Sequence, residues 1–206
     1  MHKLNEYAYT SPTGLGLVLA LVVALTGCAV SQPKDDAHRE VATPDKTEQV
    51  DADARADFDA AMKLLDAENF EKGIEQLNQL TQRAKNNTAP YINLAIAYQK
   101  VGNLAAAEDN LKKALAINPD HPVANNEYGL LYRRTGRFAE AKMTYERALE
   151  KSPLFLPARK NLAILCDLYL RDLECALKNY QLYNQAVPND KAVGIWIADL
   201  QKRLGR

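Results

Sequence analysis

The fold class this sequence predicts is all-α: a solenoid of four helical hairpins closed by a further helix. Three observations carry that expectation. Residues 122–155 hold two helical patterns separated by Thr135-Gly136-Arg137, with Tyr128, Leu131 and Tyr132 on one face of the first and Phe138, Ala141, Tyr145, Ala148 and Leu149 on one face of the second. The pattern recurs at a spacing of 34 residues on either side. Each hairpin presents an apolar face that it cannot bury alone, so neighbours must cover it.

Taken in order, the first hairpin pairs residues 54–67 with 70–84 and is a worn copy, carrying Ala60, Ala61, Leu64, Glu68, Gly73, Leu77 and Leu80 at the repeat positions. It lacks a turn glycine, and Lys85 stands where later copies have proline. The second runs 89–101, turns at Gly102-Asn103 and continues 104–117. Its Leu94, Ala95, Tyr98, Gly102, Ala107, Leu111, Ala114 and Pro119 align with Tyr128, Gly129, Tyr132, Gly136, Ala141, Tyr145, Ala148 and Pro153 of the third. Between them, Asn118-Pro119-Asp120-His121-Pro122 cannot stay helical. In the third hairpin, small Gly129 and Ala141 fall where two antiparallel helices could meet backbone to backbone, Gly136 supplies a positive φ, and Pro153 stops the second helix.

The fourth hairpin pairs 157–170 with 173–186, keeping Leu162, Ala163, Cys166, Ala176, Tyr180, Tyr183 and Pro188 with one residue inserted at the turn. Residues 191–204 then form a helix with Val193, Trp196, Ile197, Leu200 and Leu204 on one stripe, suited to sealing the end of the stack. Trp196 is expected in the core of that cap rather than as an exposed anchor.

A period of 34 with this small, aromatic and proline pattern resembles the tetratricopeptide repeat. The resemblance covers residues 54–190 as repeats 54–87, 88–121, 122–155 and 156–190, with 191–206 as the capping helix. It implies a right-handed superhelix whose first helices line a concave groove for a partner peptide or helix. On that basis Ile92, Ile96, Lys100, Asn126, Leu130, Arg133, Arg134, Lys160 and Ile164 face inward. The groove is then apolar at its centre, with Lys100, Arg133, Arg134 and Lys160 along one edge, and suits a segment bearing a carboxylate. Some proteins of this family clamp a C-terminal carboxylate with Lys and Asn. Asn126, Lys160 and Asn161 echo that set, whereas Ile96 and Leu130 replace the expected Asn. The alternative is that these charges only keep the face soluble.

The N-terminal stretch reads as an address. Residues 15–26 are an apolar run behind Lys3, too short for the roughly 20 residues of a membrane span and suited to a signal-peptide core. It ends in Leu25-Thr26-Gly27-Cys28, which resembles the bacterial lipoprotein lipobox: residues 1–27 would be removed and Cys28 lipidated. A plain secretory peptide is the alternative. Ala29 after the cysteine implies, by the same resemblance, the outer membrane of a Gram-negative envelope, facing the periplasm. Residues 29–53 hold three basic and seven acidic residues, two prolines and no aromatic, and are expected to form a flexible acidic tether.

Over the whole chain 26 basic residues balance 26 acidic ones, so no general attraction to nucleic acid is expected. No phosphate-binding glycine loop, metal-ligand spacing or nucleophile–base set stands out, so an enzyme, a cofactor and a metal are not expected. Cys166 and Cys175 lie symmetrically about the fourth turn and would meet across an antiparallel hairpin. They are either a disulfide or two buried thiols. The expected function is a lipid-anchored adaptor that binds a protein partner and assists envelope, pilus or secretin assembly, resembling outer-membrane tetratricopeptide lipoproteins of the type IV pilus pilotin class. A docking regulator of a murein synthase or hydrolase is the second expectation, and a direct murein or carbohydrate binder the third.

Overall fold

The computed structural model describes residues 52–206. The apolar run, Cys28 and residues 29–51 of the acidic stretch lie outside the described residues. Helices run Ala52–Asp66 (α1), Phe70–Arg83 (α2), Thr88–Lys100 (α3), Leu104–Ile117 (α4), Pro122–Arg134 (α5), Phe138–Lys151 (α6), Leu156–Leu165 (α7), Leu173–Ala186 (α8) and Lys191–Arg203 (α9). Among the described residues there is no strand. The expected hairpins are α1/α2, α3/α4, α5/α6 and α7/α8, and α9 packs on α8.

Short polar side chains start the helices. Asn69, Asn87, Asn103, Asp172 and Asp190 each accept a hydrogen bond from a backbone N–H in the first turn that follows. His121 does so through Nδ1, with Pro122 at the first helical position of α5. Within every hairpin the turn passes through one left-handed residue: Glu68 (φ 58°), Gly102 (80°), Gly136 (76°) and Arg171 (55°). Glycine accepts that conformation freely, whereas a side chain there costs roughly 1–2 kcal/mol. The worn first repeat and the fourth therefore keep the turn without its favoured residue. The inserted residue of the fourth hairpin is absorbed by a π-helical turn, Cys166–Leu170, which the Asp172 N–H closes on the Cys166 carbonyl at 2.9 Å.

Hairpins close where a large side chain of one helix fills the space left by a small residue of the other; in the first, a Cβ on Gly73 of α2 would lie 2.4 Å from Leu65 Cδ2 of α1. In the third, a Cβ on Gly129 would lie 2.4 Å from Tyr145 Cε1, so the fully buried ring of Tyr145 occupies the space that glycine leaves. The close contact expected between Gly129 and Ala141 is thus better described as one between Gly129 and Tyr145. Ala61, Ala95 and Ala163 occupy the equivalent place in the other hairpins and are all fully buried. Between repeats, α3 touches α5 and α5 touches α7, while α2, α4, α6 and α8 approach one another less closely. The stack therefore bends toward its first helices. At its end, α9 buries Val193 and Leu200, and the rings of Trp196 and Tyr180 lie 5.3 Å apart.

Gly129→Ala should destabilise the protein by roughly 1–3 kcal/mol through overpacking, read as a lower urea midpoint with unchanged helical circular dichroism. Arg171→Gly should raise stability by about 0.5–1 kcal/mol, the left-handed penalty outweighing the extra freedom of the unfolded chain.

Candidate functional site

Ile96 of α3, Leu130 of α5 and Ile164 of α7 are half-buried, and Leu168 in the π-helical turn is largely exposed. Helices α3 and α5 also carry three cations. Arg134 donates from Nη1 to the Gln99 carbonyl at 3.1 Å, bridging the second and third repeats. The Arg133 guanidinium sits 5.9 Å from the centre of the Tyr169 ring, and Tyr169 in turn leans on Phe138 at 4.8 Å. Lys100, at the C-terminal end of α3, is exposed. Among the described residues none of the three is held in an ion pair.

Three residues expected in the groove are placed elsewhere by the packing. Ile92 is completely buried, in the cluster that holds Leu65, Leu80 and Ala124, so the neighbouring repeats cover it. Asn126 is buried with both ends of its amide engaged: Oδ1 accepts from Asn161 Nδ2 at 2.9 Å, and Nδ2 donates to Glu127 Oε1 at 3.2 Å. It joins repeats rather than awaiting a ligand. Lys160 turns away from the other cations to pair with Asp190 at 2.8 Å, with the Tyr183 and Trp196 rings 5.0 and 5.8 Å away. It ties α7 to the cap, and the basic edge reduces to Lys100, Arg133 and Arg134.

The residue that sequence reasoning missed is Glu127. Its side chain keeps partial exposure, but its carboxyl is enclosed by protein between α3 and α5, hydrogen-bonded by Asn126 and Gln99 and facing Lys100. Burial pushes its pKa up to about 7, against the pull of those donors and of Lys100. A lone glutamate on a helix reads as solvated, and only the neighbouring repeat encloses it. The Tyr145 hydroxyl, also buried, has no hydrogen-bond partner among the described residues, and it lies within electrostatic reach of Arg133 and Glu127.

Cys166 and Cys175 are joined by a disulfide with their Cα atoms 5.8 Å apart, clipping α7 to α8 across the π-helical turn. Asp172 stands close enough for the three to look like a metal-ligand set, but both sulfurs are committed to each other. Among the described residues no helix is long and apolar enough to cross a membrane.

Residues 86–153 match the family model described as Tetratricopeptide repeat. That span is essentially the second and third repeats. A tomato protein described as probable UDP-N-acetylglucosamine–peptide N-acetylglucosaminyltransferase SPINDLY is 34% identical over 72 residues, which is 35% of this chain and 8% of that protein. The chain therefore spans a small fraction of that relative. Among solved structures, Pseudomonas aeruginosa pilF superimposes with a TM-score of 0.67 at 20% identity, covering 73% of this chain and 68% of that one. MamA of Desulfovibrio magneticus gives 0.64 at 18%, covering 75% and 87%. A thermophilic tetratricopeptide protein of Thermus thermophilus gives 0.62 at 24%, covering 72% and 81%. At these identities the likeness shows the fold, an all-α tetratricopeptide solenoid, a class that supports protein–protein interaction scaffolds in general.

The raised pKa of Glu127 has a consequence for stability. Its ordinary value is 4.5 and its folded value about 7, so the native state holds a proton that the unfolded chain releases. This group's contribution is complete below about pH 4.5, is lost as pH rises toward 7, and is flat above. Glu127→Gln should remove that slope, stabilising the protein at pH 8 relative to the parent by on the order of 1–3 kcal/mol and changing little near pH 4.5. Urea unfolding of both proteins across that range measures it.

Proposed function

We propose that this protein is a non-catalytic adaptor that captures an extended or helical segment of a partner protein in the groove of its first helices. The observation that carries this reading is the occurrence on the same helices of three cations that form no ion pair among the described residues, Lys100, Arg133 and Arg134, and of incompletely covered apolar residues, Ile96, Leu130, Ile164 and Leu168. Apolar side chains supply area for a partner, and arginine meets carboxylates in a bidentate fashion.

We further propose that the array is a lipoprotein anchored through Cys28 and facing the periplasm from the outer membrane of a Gram-negative cell. The apolar run ending in Leu25-Thr26-Gly27-Cys28 supports the anchor. The Cys166–Cys175 disulfide supports an oxidising compartment. In that setting the partner belongs to envelope assembly, of the pilus and secretin kind, and the structural likeness to pilF is in keeping with it. Docking onto a murein synthase or hydrolase is the second reading. Direct carbohydrate binding ranks below both, because Tyr169, whose ring lies 5.9 Å from the Arg133 guanidinium, already has Phe138 against it.

Two measurements test the proposal. Crosslinking in the native envelope should capture a discrete partner, and Arg133→Glu with Arg134→Glu should reduce that capture at least tenfold without altering circular dichroism; unchanged capture would remove the groove. Labelling with radioactive palmitate should mark the parent chain and leave Cys28→Ser unmarked; an unmarked parent would remove the anchor.

A further inference from the structure

The π-helical turn that absorbs the inserted residue of the fourth hairpin carries two consecutive large apolar side chains at the surface. Leu168 is 67% exposed and Tyr169 44%. Turns of this kind recur at functional sites. Met143 of α6, Leu154 beyond α6 and Ile195 of α9 are exposed too, but they stand singly, and scattered cases need no explanation. Two in succession on a turn held from several sides do.

The Cys166–Cys175 disulfide spans the turn, and the Asp172 N–H closes it on the Cys166 carbonyl at 2.9 Å. Asp172 Oδ1 accepts from the Cys175 N–H at 3.1 Å, and the Tyr169 ring rests on Phe138 at 4.8 Å. A partner that covers side chains fixed in this way has little of their freedom left to remove. The charges around them are one-sided. Asp167 is paired with Arg203 at 2.9 Å and Asp172 with Lys142 at 3.6 Å, so both acids of the turn are neutralised. Arg133, 5.9 Å from the Tyr169 ring, and Arg171, exposed at the end of the turn, join no ion pair among the described residues. Arg171 also bears the cost of a left-handed backbone. Strain alone does not mark the place, since Glu68 has the same backbone in the first hairpin; here the residue that bears it is a cation next to exposed apolar surface.

We propose that this turn is the anchor of the groove: Leu168 and Tyr169 cover apolar side chains of an acidic partner segment, while Arg133 and Arg171 meet its carboxylates. This rests on the groove as the binding surface, and it narrows the partner to a segment in which apolar residues are interleaved with Asp or Glu. Aromatic and arginine side chains together are the usual carriers of binding energy at protein interfaces, and the guanidinium fork matches a carboxylate. A basic segment is repelled by the same two arginines. The arginine at a left-handed position then has a reason: glycine would relieve the backbone but remove a cation from the anchor.

The test uses the full chain and two tetramethylrhodamine-labelled peptides, one alternating Glu and Leu and the other alternating Lys and Leu, read by fluorescence anisotropy. The Glu–Leu probe should bind about tenfold more tightly than the Lys–Leu probe. Leu168→Ser with Tyr169→Ser should weaken it about fivefold with unchanged circular dichroism. Met143→Ser with Leu154→Ser, which removes exposed apolar surface elsewhere, should leave it unchanged. Arg171→Gly should weaken it about two- to fivefold while raising stability, so that loss cannot come from unfolding. Arg133→Glu with Arg134→Glu should abolish binding. If the arginine reversals abolish binding but the Leu168/Tyr169 variant or Arg171→Gly binds as the parent does, the anchor is overturned and the groove stands. Equal binding of the two probes, or an equal loss in the Met143/Leu154 variant, overturns the anchor in the same way. A Glu–Leu probe that does not bind the parent, or that ignores the arginine reversals, overturns the groove reading and this inference with it.

Discussion

The contact of the Tyr145 ring with the bare backbone of Gly129 sets the spacing on which the rest of the array depends. Two helices can pack this closely only where one contributes almost no side chain and the other fills the gap. In the first hairpin the roles are exchanged, Leu65 of α1 filling the space at Gly73 of α2, while Ala95 and Ala163 are buried in clusters with Leu111 and Tyr180. With that distance fixed, the remaining apolar faces of each hairpin are left at a constant level, and the next hairpin can cover them. The 34-residue period is the trace of this geometry in the sequence.

Stacking is then given its register by polar links that cross from one first helix to the next. Asn161 holds Asn126, Asn126 holds Glu127, and Arg134 reaches the Gln99 carbonyl, so α3, α5 and α7 are joined by a chain of directional bonds above the apolar layer. Hydrogen bonds of this kind add little net stability each, but leaving one of these buried groups unpaired is expensive. They therefore penalise slipped stacking more than they reward the correct one. The C-terminal end is fixed in the same style, by Lys160 with Asp190 and by Arg203 with Asp167.

How much of this the sequence disclosed follows from how local each feature is. Helices, turns and hairpin pairing were legible because glycine, proline and the 3.6-residue rhythm act within a few residues; the observed ends differ from the expected ones by at most a few positions. The left-handed Glu68 and Arg171 fall where the pattern lacks a turn glycine, so the turn geometry is imposed by the packing of the helices rather than by residue preference. The groove was legible only in outline. Ile96, Leu130 and Ile164 are half-buried, but Ile92 is sealed by adjacent repeats and Lys160 is drawn to Asp190, a residue thirty positions away. Neither outcome is encoded in the repeat position; each depends on the particular neighbour across an interface. Glu127 escaped notice for the same reason, since its enclosure is a property of two repeats together.

Glu127 also shows how one side chain can register the stacking of such an array. In a solenoid, stability is a sum of repeat and nearest-neighbour terms, so most interface residues affect only folding. The carboxyl of Glu127, enclosed at the seam with Lys100 acting on it, is such an interface group, and its burial is what raises its pKa. Its burial weakens the interface whenever it ionises. Tightening the contact between the second and third repeats would bury it further and raise its pKa; loosening that contact would do the reverse. The protonation of this one side chain is therefore coupled to the packing of two repeats, with no change in the shape of either.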